Sequence, residues 1–221
     1  LKQQSTDRAR QVVNCGMDVM AGSAIIVGPN NFLEKFYKSV PIGITVEGSN
    51  TLTRSLIIFG QGLNKSHPHI SGIVETLTDP AKADEFGPRF RRMVGHSVGM
   101  FVRSTVGWTR PRFEDVGVCP WEDRWRMNIV TFANLCNIVA LMGGSLKKEQ
   151  VVSGLMADLF SQCYLSQAVL WDYETRDDRS KLEWMAWSNH RSKRLVLEQL
   201  HKEFADTLSE VKHHLPASQS L

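Results

Sequence analysis

Glu47 is the residue with the clearest chemical potential, because it is an isolated acid in an apolar stretch. No other acidic residue occurs within residues 35–74, and Glu47 follows three apolar side chains, Ile42, Ile44 and Val46. Desolvation makes a carboxylate take up a proton more readily, which suits a general base. The dipole of a helix predicted directly afterwards favours the charged form. Glu47 is therefore a candidate catalytic base.

Small and hydroxyl-bearing residues follow Glu47 and could hold a ligand beside it. Gly48 permits a turn and the close approach of a flat ligand, while Ser49 and Thr51 supply two hydroxyls. The N-terminus of the predicted helix offers unpaired N–H groups to an anionic or hydrogen-bonding cofactor. The alternative is a structural role, in which Glu47 caps the helix or pairs with Arg54.

Apolar residues at helical spacing predict helices along the whole chain, and no segment shows the alternation of a half-buried strand. The predicted helices cover about residues 7–20, 32–37, 50–59, 70–77, 86–108, 120–142, 147–171 and 180–212. A loop is expected over residues 39–48. Small residues over 21–24 would let another chain or a ligand approach the backbone. The expected inner face of the helix at 120–142 is Trp121, Trp125, Ile129, Phe132 and Leu135.

These elements predict an all-α fold with two packed helical groups. Asp79-Pro80 and Gly87-Pro88 interrupt the helical pattern and place the boundary near residues 79–88. We accordingly predict one domain over residues 1–79 and a second, also helical, over residues 80–221.

Composition excludes several classes of protein. Of the 221 residues 42% are hydrophobic and 22% are charged, and 26 basic against 23 acidic residues give a net charge of +3. Such values are typical of a soluble globular protein and exclude disordered and fibrous classes. The small charge excess gives no strong reason to expect nucleic acid or an anionic membrane as partner. The uncharged stretch 127–146 could be a membrane span, but its asparagines favour a buried helix.

Cysteines and histidines do not follow a recognisable metal pattern, so no metal is expected. Four cysteines are far apart and lack C-x-x-C spacing: Cys15, Cys119, Cys136 and Cys163. Two histidine pairs lack further ligands at metal spacing: His67 with His69, and His213 with His214. Without a disulfide framework, an intracellular reducing compartment is the expected location.

Arginines are concentrated in one part of the sequence, and Trp108 lies among them. They are Arg89, Arg91, Arg92, Arg103, Arg110 and Arg112. Three interpretations stay open for this cluster: an ordinary solvated or inter-helix face, a docking surface for a catalytic core or for membrane headgroups, and a nucleic-acid face.

Four segments together resemble one enzyme family. The run Thr45–Arg54 (Thr-Val-Glu-Gly-Ser-Asn-Thr-Leu-Thr-Arg) resembles the Tyr-Glu-Gly-Thr segment of acyl-CoA dehydrogenases. The resemblance is closest to the C-terminal portion of the large bacterial fatty-acid-degradation members, which carry a helical extension. It continues through Asp84–Phe90, Leu141–Lys148 and Asp158–Leu170, and so covers nearly the whole chain.

The resemblance implies a flavin enzyme of fatty acid β-oxidation. Glu47 would remove the α-proton of an acyl-CoA thioester while the β-hydrogen leaves as hydride to FAD, giving the trans-2-enoyl-CoA. Gly48 belongs to the same motif, Ser49 matches the family's flavin-contacting threonine, and Thr51 stands where a glutamine often touches FAD. Gly22 matches one of two paired glycines that approach the FAD of a neighbouring subunit.

The sequence departs from the family pattern close to Gly22. Ala21 replaces the second of the paired glycines, Ala24 replaces a further glycine, and Asp18 stands where many relatives carry an FAD-binding glutamine. These changes affect the inter-subunit FAD contact more than they affect Glu47.

The resemblance also bears on partners and on completeness. The upstream domains that supply most flavin and acyl-CoA contacts in the family are absent from this sequence, so we expect a C-terminal fragment that is inactive alone. Family members form homo-oligomers and pass electrons to an electron-transferring flavoprotein, in the cytoplasm of bacteria or the mitochondria of eukaryotes. A function of another class stays open, a non-catalytic helical module for interaction or oligomerisation after about Asp79.

Overall fold

The computed structural model describes residues 1–62, 67–106, 120–175 and 183–215, and all regular structure within these ranges is helical. This confirms the all-α prediction. The α-helices are α1 (Lys2–Met20), α2 (Gly22–Ile25), α3 (Leu33–Thr45), α4 (Asn50–Leu52), α5 (Ile70–Thr78), α6 (Phe86–Val106), α7 (Pro120–Ala140), α8 (Gln150–Thr175) and α9 (Glu183–His214). A π-helical stretch, Thr53–Gln61, continues α4, and 3₁₀ segments cover Pro80–Glu85 and Gly143–Lys147. The expected helix boundaries at Trp108 and Ser180 lie outside the described residues.

The third helix is longer than its sequence indicates. A helix over residues 32–37 followed by a loop over 39–48 was wrong, because α3 continues through Pro41 to Thr45. Packing against α1 explains the difference: a Cβ added to Gly43 would lie 3.3 Å from Cγ2 of Thr6, so the two helices are in close contact there. Tertiary packing of this kind overrides weak local propensity.

The hydrophobic core is built around α8. Between residues 152 and 163 this helix is buried on nearly all sides, as expected for a central helix. The buried residues that surround it come from the π-helix (Phe59), α7 (Leu135, Cys136 and Val139) and α9 (Phe204 and Val211). We call this assembly the C-terminal core. Because Phe59 belongs to it, the helix that follows Glu47 packs directly on α8.

The inner face of α7 differs from the predicted one. Leu135 is buried as expected, but Ile129 is exposed and its neighbour Asn128 is buried instead. Nδ2 of Asn128 lies 3.3 Å from Nδ1 of His201 on α9. A hydrogen-bonding partner across the interface thus turns a polar residue inward, which an apolar pattern alone does not reveal.

The N-terminal region, residues 1–46, packs differently. Among its residues only Gln3, Ala24 and Asn31 are buried. An ion pair joins it to the C-terminal core: Arg8 on α1 lies 2.6 Å from Glu203 on α9.

None of the described helices is long and apolar enough to cross a membrane. In the stretch 127–146, Leu135, Val139 and Leu146 instead contribute to the C-terminal core.

Candidate active site

Glu47 lies in a strained turn between α3 and α4. Its φ is +56°, which is in the left-handed region that side-chain-bearing residues seldom adopt, and Gly48 follows with φ +85°. The left-handed conformation costs a non-glycine residue about 1–2 kcal/mol. We call residues 46–50 the Glu47 turn. Strain of this kind at an acidic residue points to a functional position.

Ser49, and not Glu47, caps the helix that follows. The hydroxyl of Ser49 accepts a hydrogen bond from the backbone N–H of Leu52 at 3.3 Å, as its position before the helix predicts. The same hydroxyl keeps its proton for donation to a second group. Thr51, two residues further along, is exposed.

The Glu47 turn is clamped onto the start of α1. Lys2 donates from Nζ to the carbonyl oxygen of Gly48 at 2.8 Å and to Oδ1 of Asn50 at 2.9 Å. Buried Asn50 in turn donates from Nδ2 to Oδ1 of Asp7 at 2.8 Å and to Oγ1 of Thr6 at 2.9 Å. These bonds, charge-assisted at Lys2 and Asp7, fix the backbone that follows Glu47.

Sequence reasoning missed Lys2 and Asp7 as positioning residues. More than forty residues separate Lys2 from the groups it binds, and no spacing rule connects them. Asn50 was expected only as the first residue of the helix predicted over residues 50–59. Its position between a turn and an apolar helix is consistent with burial, but nothing in the sequence indicates which residues it would bind.

The carboxylate of Glu47 is open to solvent. The apolar enclosure expected from its neighbours is not formed by this chain, because Glu47, Ile42 and Val46 are all exposed. The apolar side chains here point outward from a region that has little core of its own. Desolvation of Glu47 therefore requires a surface from outside the described residues.

Neither part of the structural alternative for Glu47 is found among the described residues. Arg54, its expected partner, binds Asp158 on α8, with Nε at 2.7 Å and a terminal nitrogen at 2.6 Å from Oδ2. The cap is supplied by Ser49. Glu47 makes no side-chain hydrogen bond or ion pair with any residue that the structure describes.

Gly22 lies far from the Glu47 turn. It begins α2 directly after α1, whereas the turn is bound to the start of α1, so the 19 residues of that helix separate them by roughly 30 Å. A Cβ added to Gly22 would meet no described atom within 4 Å. The structure thus brings Glu47, Gly48, Ser49 and Thr51 together and leaves Gly22 at a separate place.

A shallow cavity of about 150 Å³ lies between α1 and α3 and does not include the Glu47 turn. It is lined by Arg10, Val13, Asn14, Tyr37, Val40 and Pro41. Its volume is below the several hundred Å³ of ordinary small-molecule sites, so it is not a cofactor pocket by itself.

Three histidines cluster away from the Glu47 turn. The ring centroids of His67, His69 and His96 lie 5.2–6.2 Å apart. Nδ1 of His67 accepts the backbone N–H of Ile70, and its Nε2 faces Oδ1 of Asn137 at 3.1 Å, so both ring nitrogens have structural partners. Within the described ranges no group of three or more His, Cys, Asp and Glu is placed to hold a metal ion.

The helical core with one exposed, strained carboxylate at its edge defines an all-α domain that carries a potential base. Comparison with known families then identifies it: residues 64–213 match the family described as acyl-CoA dehydrogenase, C-terminal, bacterial type. This range is more than half of the chain, and the chain belongs to that family. No solved structure matches it significantly. The Glu47 turn precedes the matched range, and the division at residue 79 stays a prediction.

Proposed function

We propose that this chain is the C-terminal part of a flavin-dependent acyl-CoA dehydrogenase that oxidises saturated fatty acyl-CoA to trans-2-enoyl-CoA, the first step of fatty acid β-oxidation. The observation that carries the proposal is the state of Glu47. An exposed carboxylate is held in a left-handed turn although neither a cap nor an ion pair in the described residues offsets the strain. Family membership supplies the chemistry for which such a residue is suited.

Glu47 is the proposed base for the α-proton of the thioester. That proton is weakly acidic, so the base works best when water is removed from around its carboxylate. Exposed Ile42 and Val46 offer apolar surface beside it. An acyl chain or an upstream domain seated on that surface would dehydrate Glu47, while Lys2 and Asn50 hold its backbone in place.

The donor set of the Glu47 turn fits part of a flavin site. The Ser49 hydroxyl retains a proton for donation, Thr51 has an exposed hydroxyl, and Gly48 leaves its backbone accessible. Bound FAD would supply the acceptor for the β-hydrogen, which leaves as hydride. These residues would contact the cofactor from one side only, because the remaining contacts require sequence outside this chain.

Gly22 supports a second contact with the cofactor, from a different copy of the chain. Gly22 is too far from the Glu47 turn to contact a flavin bound there. The open space beside Gly22 shows that packing within the described residues does not require its small size. We infer a homo-oligomer in which Gly22 approaches the FAD of a neighbouring subunit. The proposed electron acceptor is an electron-transferring flavoprotein, and the free cysteines Cys15, Cys136 and Cys163 support a reducing compartment.

The test is Glu47→Gln in the full-length enzyme, with Glu149→Gln, an exposed acid on the C-terminal side, as the matched control. Loss of a general base lowers the turnover of acyl-CoA by about 10²–10⁴-fold. Flavin absorbance and circular dichroism are expected to stay unchanged, since Glu47 makes no contact that holds the described fold. Wild-type turnover in the Glu47→Gln variant would overturn the assignment.

A non-catalytic helical module is the second candidate, favoured by one observation: the C-terminal core is well packed and includes most of the family match. In that case deleting the chain after about Asp79 in the full-length protein would abolish assembly, whereas Glu47→Gln would change nothing measurable.

A further inference from the structure

Helix α6 carries an apolar stripe that the other described elements leave about half exposed. Its members recur every three to four residues along the whole helix: Phe86, Phe90, Val94, Val98, Phe101 and Val102. Each is between 38% and 56% exposed. The side of α6 that packs on the protein carries other residues: the His96 ring lies against His67 and His69, and Met93 and Met100 are half-buried. The stripe is thus a second apolar surface, pointing away from the core.

The charge on α6 has one sign only. The helix contains four arginines and no acidic residue. Arg89 is paired with Glu85 and Glu75, whereas Arg91, Arg92 and Arg103 are exposed and form no ion pair within the described ranges. In the sequence Trp108, Arg110 and Arg112 follow directly. This local positive charge exceeds the +3 of the entire chain, which conceals it.

We propose that α6 lies on an anionic membrane surface, with its apolar stripe at the boundary between headgroups and acyl chains and its free arginines against lipid phosphates. Interfacial helices combine an apolar face with exposed arginine or lysine in this way, and they do not span the bilayer. The helix has 21 residues, about 30 Å, over which it can lie flat. The inference is independent of the Glu47 assignment.

A second copy of α6 fits the apolar stripe less well than a lipid surface does. Two identical helices laid together along the stripe would bring arginines near arginines, with no acid on either helix to compensate, and like charges across an interface are unfavourable. An anionic lipid surface meets the same charges favourably, by about 1 kcal/mol for each basic residue close to it.

The experiment is flotation of the full-length protein with vesicles of phosphatidylglycerol and phosphatidylcholine, compared with vesicles of phosphatidylcholine alone. We expect co-flotation only with the anionic vesicles, and loss of binding as salt rises. Arg91→Gln with Arg92→Gln is expected to weaken binding by about fivefold per arginine. Val98→Gln with Phe101→Gln is expected to reduce it at least as much, because inserted apolar area is lost.

The matched control is Leu141→Gln with Val151→Gln, which removes two exposed apolar side chains outside α6 and is expected to leave flotation unchanged. Circular dichroism verifies that each variant is folded. The proposal is overturned if the wild-type protein does not bind anionic vesicles, or if the α6 variants co-float with them as much as the wild-type protein does. It is also overturned if the stripe variants instead halve the mass in light scattering without lipid, since α6 would then be a contact between copies.

Discussion

The N-terminal region and the C-terminal core use their apolar residues in opposite ways. In the core, Val139, Met156 and Leu159 are completely buried. In residues 1–46, Val12, Val19 and Ile25 are each more than two-thirds exposed, and the buried positions are mainly polar. The first region is held by hydrogen bonds and a few close contacts, the second by a continuous core. This contrast indicates that the C-terminal core is stabilised by its own packing, whereas residues 1–46, which lead into the Glu47 turn, leave apolar surface exposed.

The largest expected contrast between the regions is in how much the free energy of unfolding falls when one side chain is shortened to alanine. Met156→Ala removes a fully buried side chain from α8 and is expected to lower the free energy of unfolding by about 2–5 kcal/mol. Val19→Ala, at 85% exposure, is expected to change it by less than about 0.5 kcal/mol. Urea unfolding followed by circular dichroism measures both. A comparable loss for the two variants would contradict the contrast.

A pair of alanines provides a finer test inside the N-terminal region. Ala21 has φ +47° and ψ −129°, a conformation suited to glycine, so Ala21→Gly is expected to stabilise the protein by about 1–2 kcal/mol. Ala24 is helical and buried, so Ala24→Gly is expected to destabilise it by about 0.5–1 kcal/mol. Thermal unfolding distinguishes the two signs. If both variants lose stability, the backbone at Ala21 is not strained as the structure has it.

These two alanines also show what the sequence could and could not predict. Resemblance identified both as positions where relatives carry glycine, but only the backbone dihedral reveals which one requires it. Helix existence was predictable from apolar spacing, as for α5 and α6, because periodicity reports the local element. The clamp on the Glu47 turn was not, because Lys2 and Asn50 meet through the tertiary fold.

The motif around Glu47 was found from residue type and resemblance, yet its environment was predicted wrongly. An apolar neighbour in sequence encloses a carboxylate only if its side chain turns inward, and Ile42 and Val46 turn outward. Burial depends on which face of an element meets a core, and the N-terminal region has hardly any core to meet.

A smaller effect is expected where the helix after the Glu47 turn meets α8. Arg54 and Asp158 join the helix after Glu47 to α8, and the Arg54 side chain is 36% exposed. Solvent screening therefore limits their coupling to about 1 kcal/mol. A double-mutant cycle of Arg54→Met and Asp158→Asn, read by urea unfolding, measures it. A coupling of zero would mean that this helix is held on α8 by apolar packing, as at Phe59, and not by the ion pair.

The smallest expected effect is a loss of stability at acidic pH. It is also the most selective one, because residues 1–46 contain no histidine. Burial lowers the pKa of His96, and His69, His67 and Arg103 nearby lower it further. Burial likewise lowers the pKa of His201, with a contribution from Arg124. Both rings therefore bind a proton less readily in the fold than in the unfolded chain, where they take up protons below the ordinary histidine value of about 6.5. The unfolded state then binds more protons, so stability is complete above that pH and decreases as pH falls below it, until the folded rings are protonated as well.

Hydrogen exchange at mildly acidic and at neutral pH, corrected for the intrinsic exchange rate, locates this loss. Amides of α6, α7 and α9 are expected to lose protection on acidification, while those of α1 and α3 change little. His96→Gln is expected to flatten the pH dependence at α6, and His213→Gln, which removes an exposed ring at the end of α9, is expected to leave it unchanged. An equal loss of protection in α1 and α3 would show that the two regions unfold together, and that the stability of the C-terminal core is not independent of the N-terminal region.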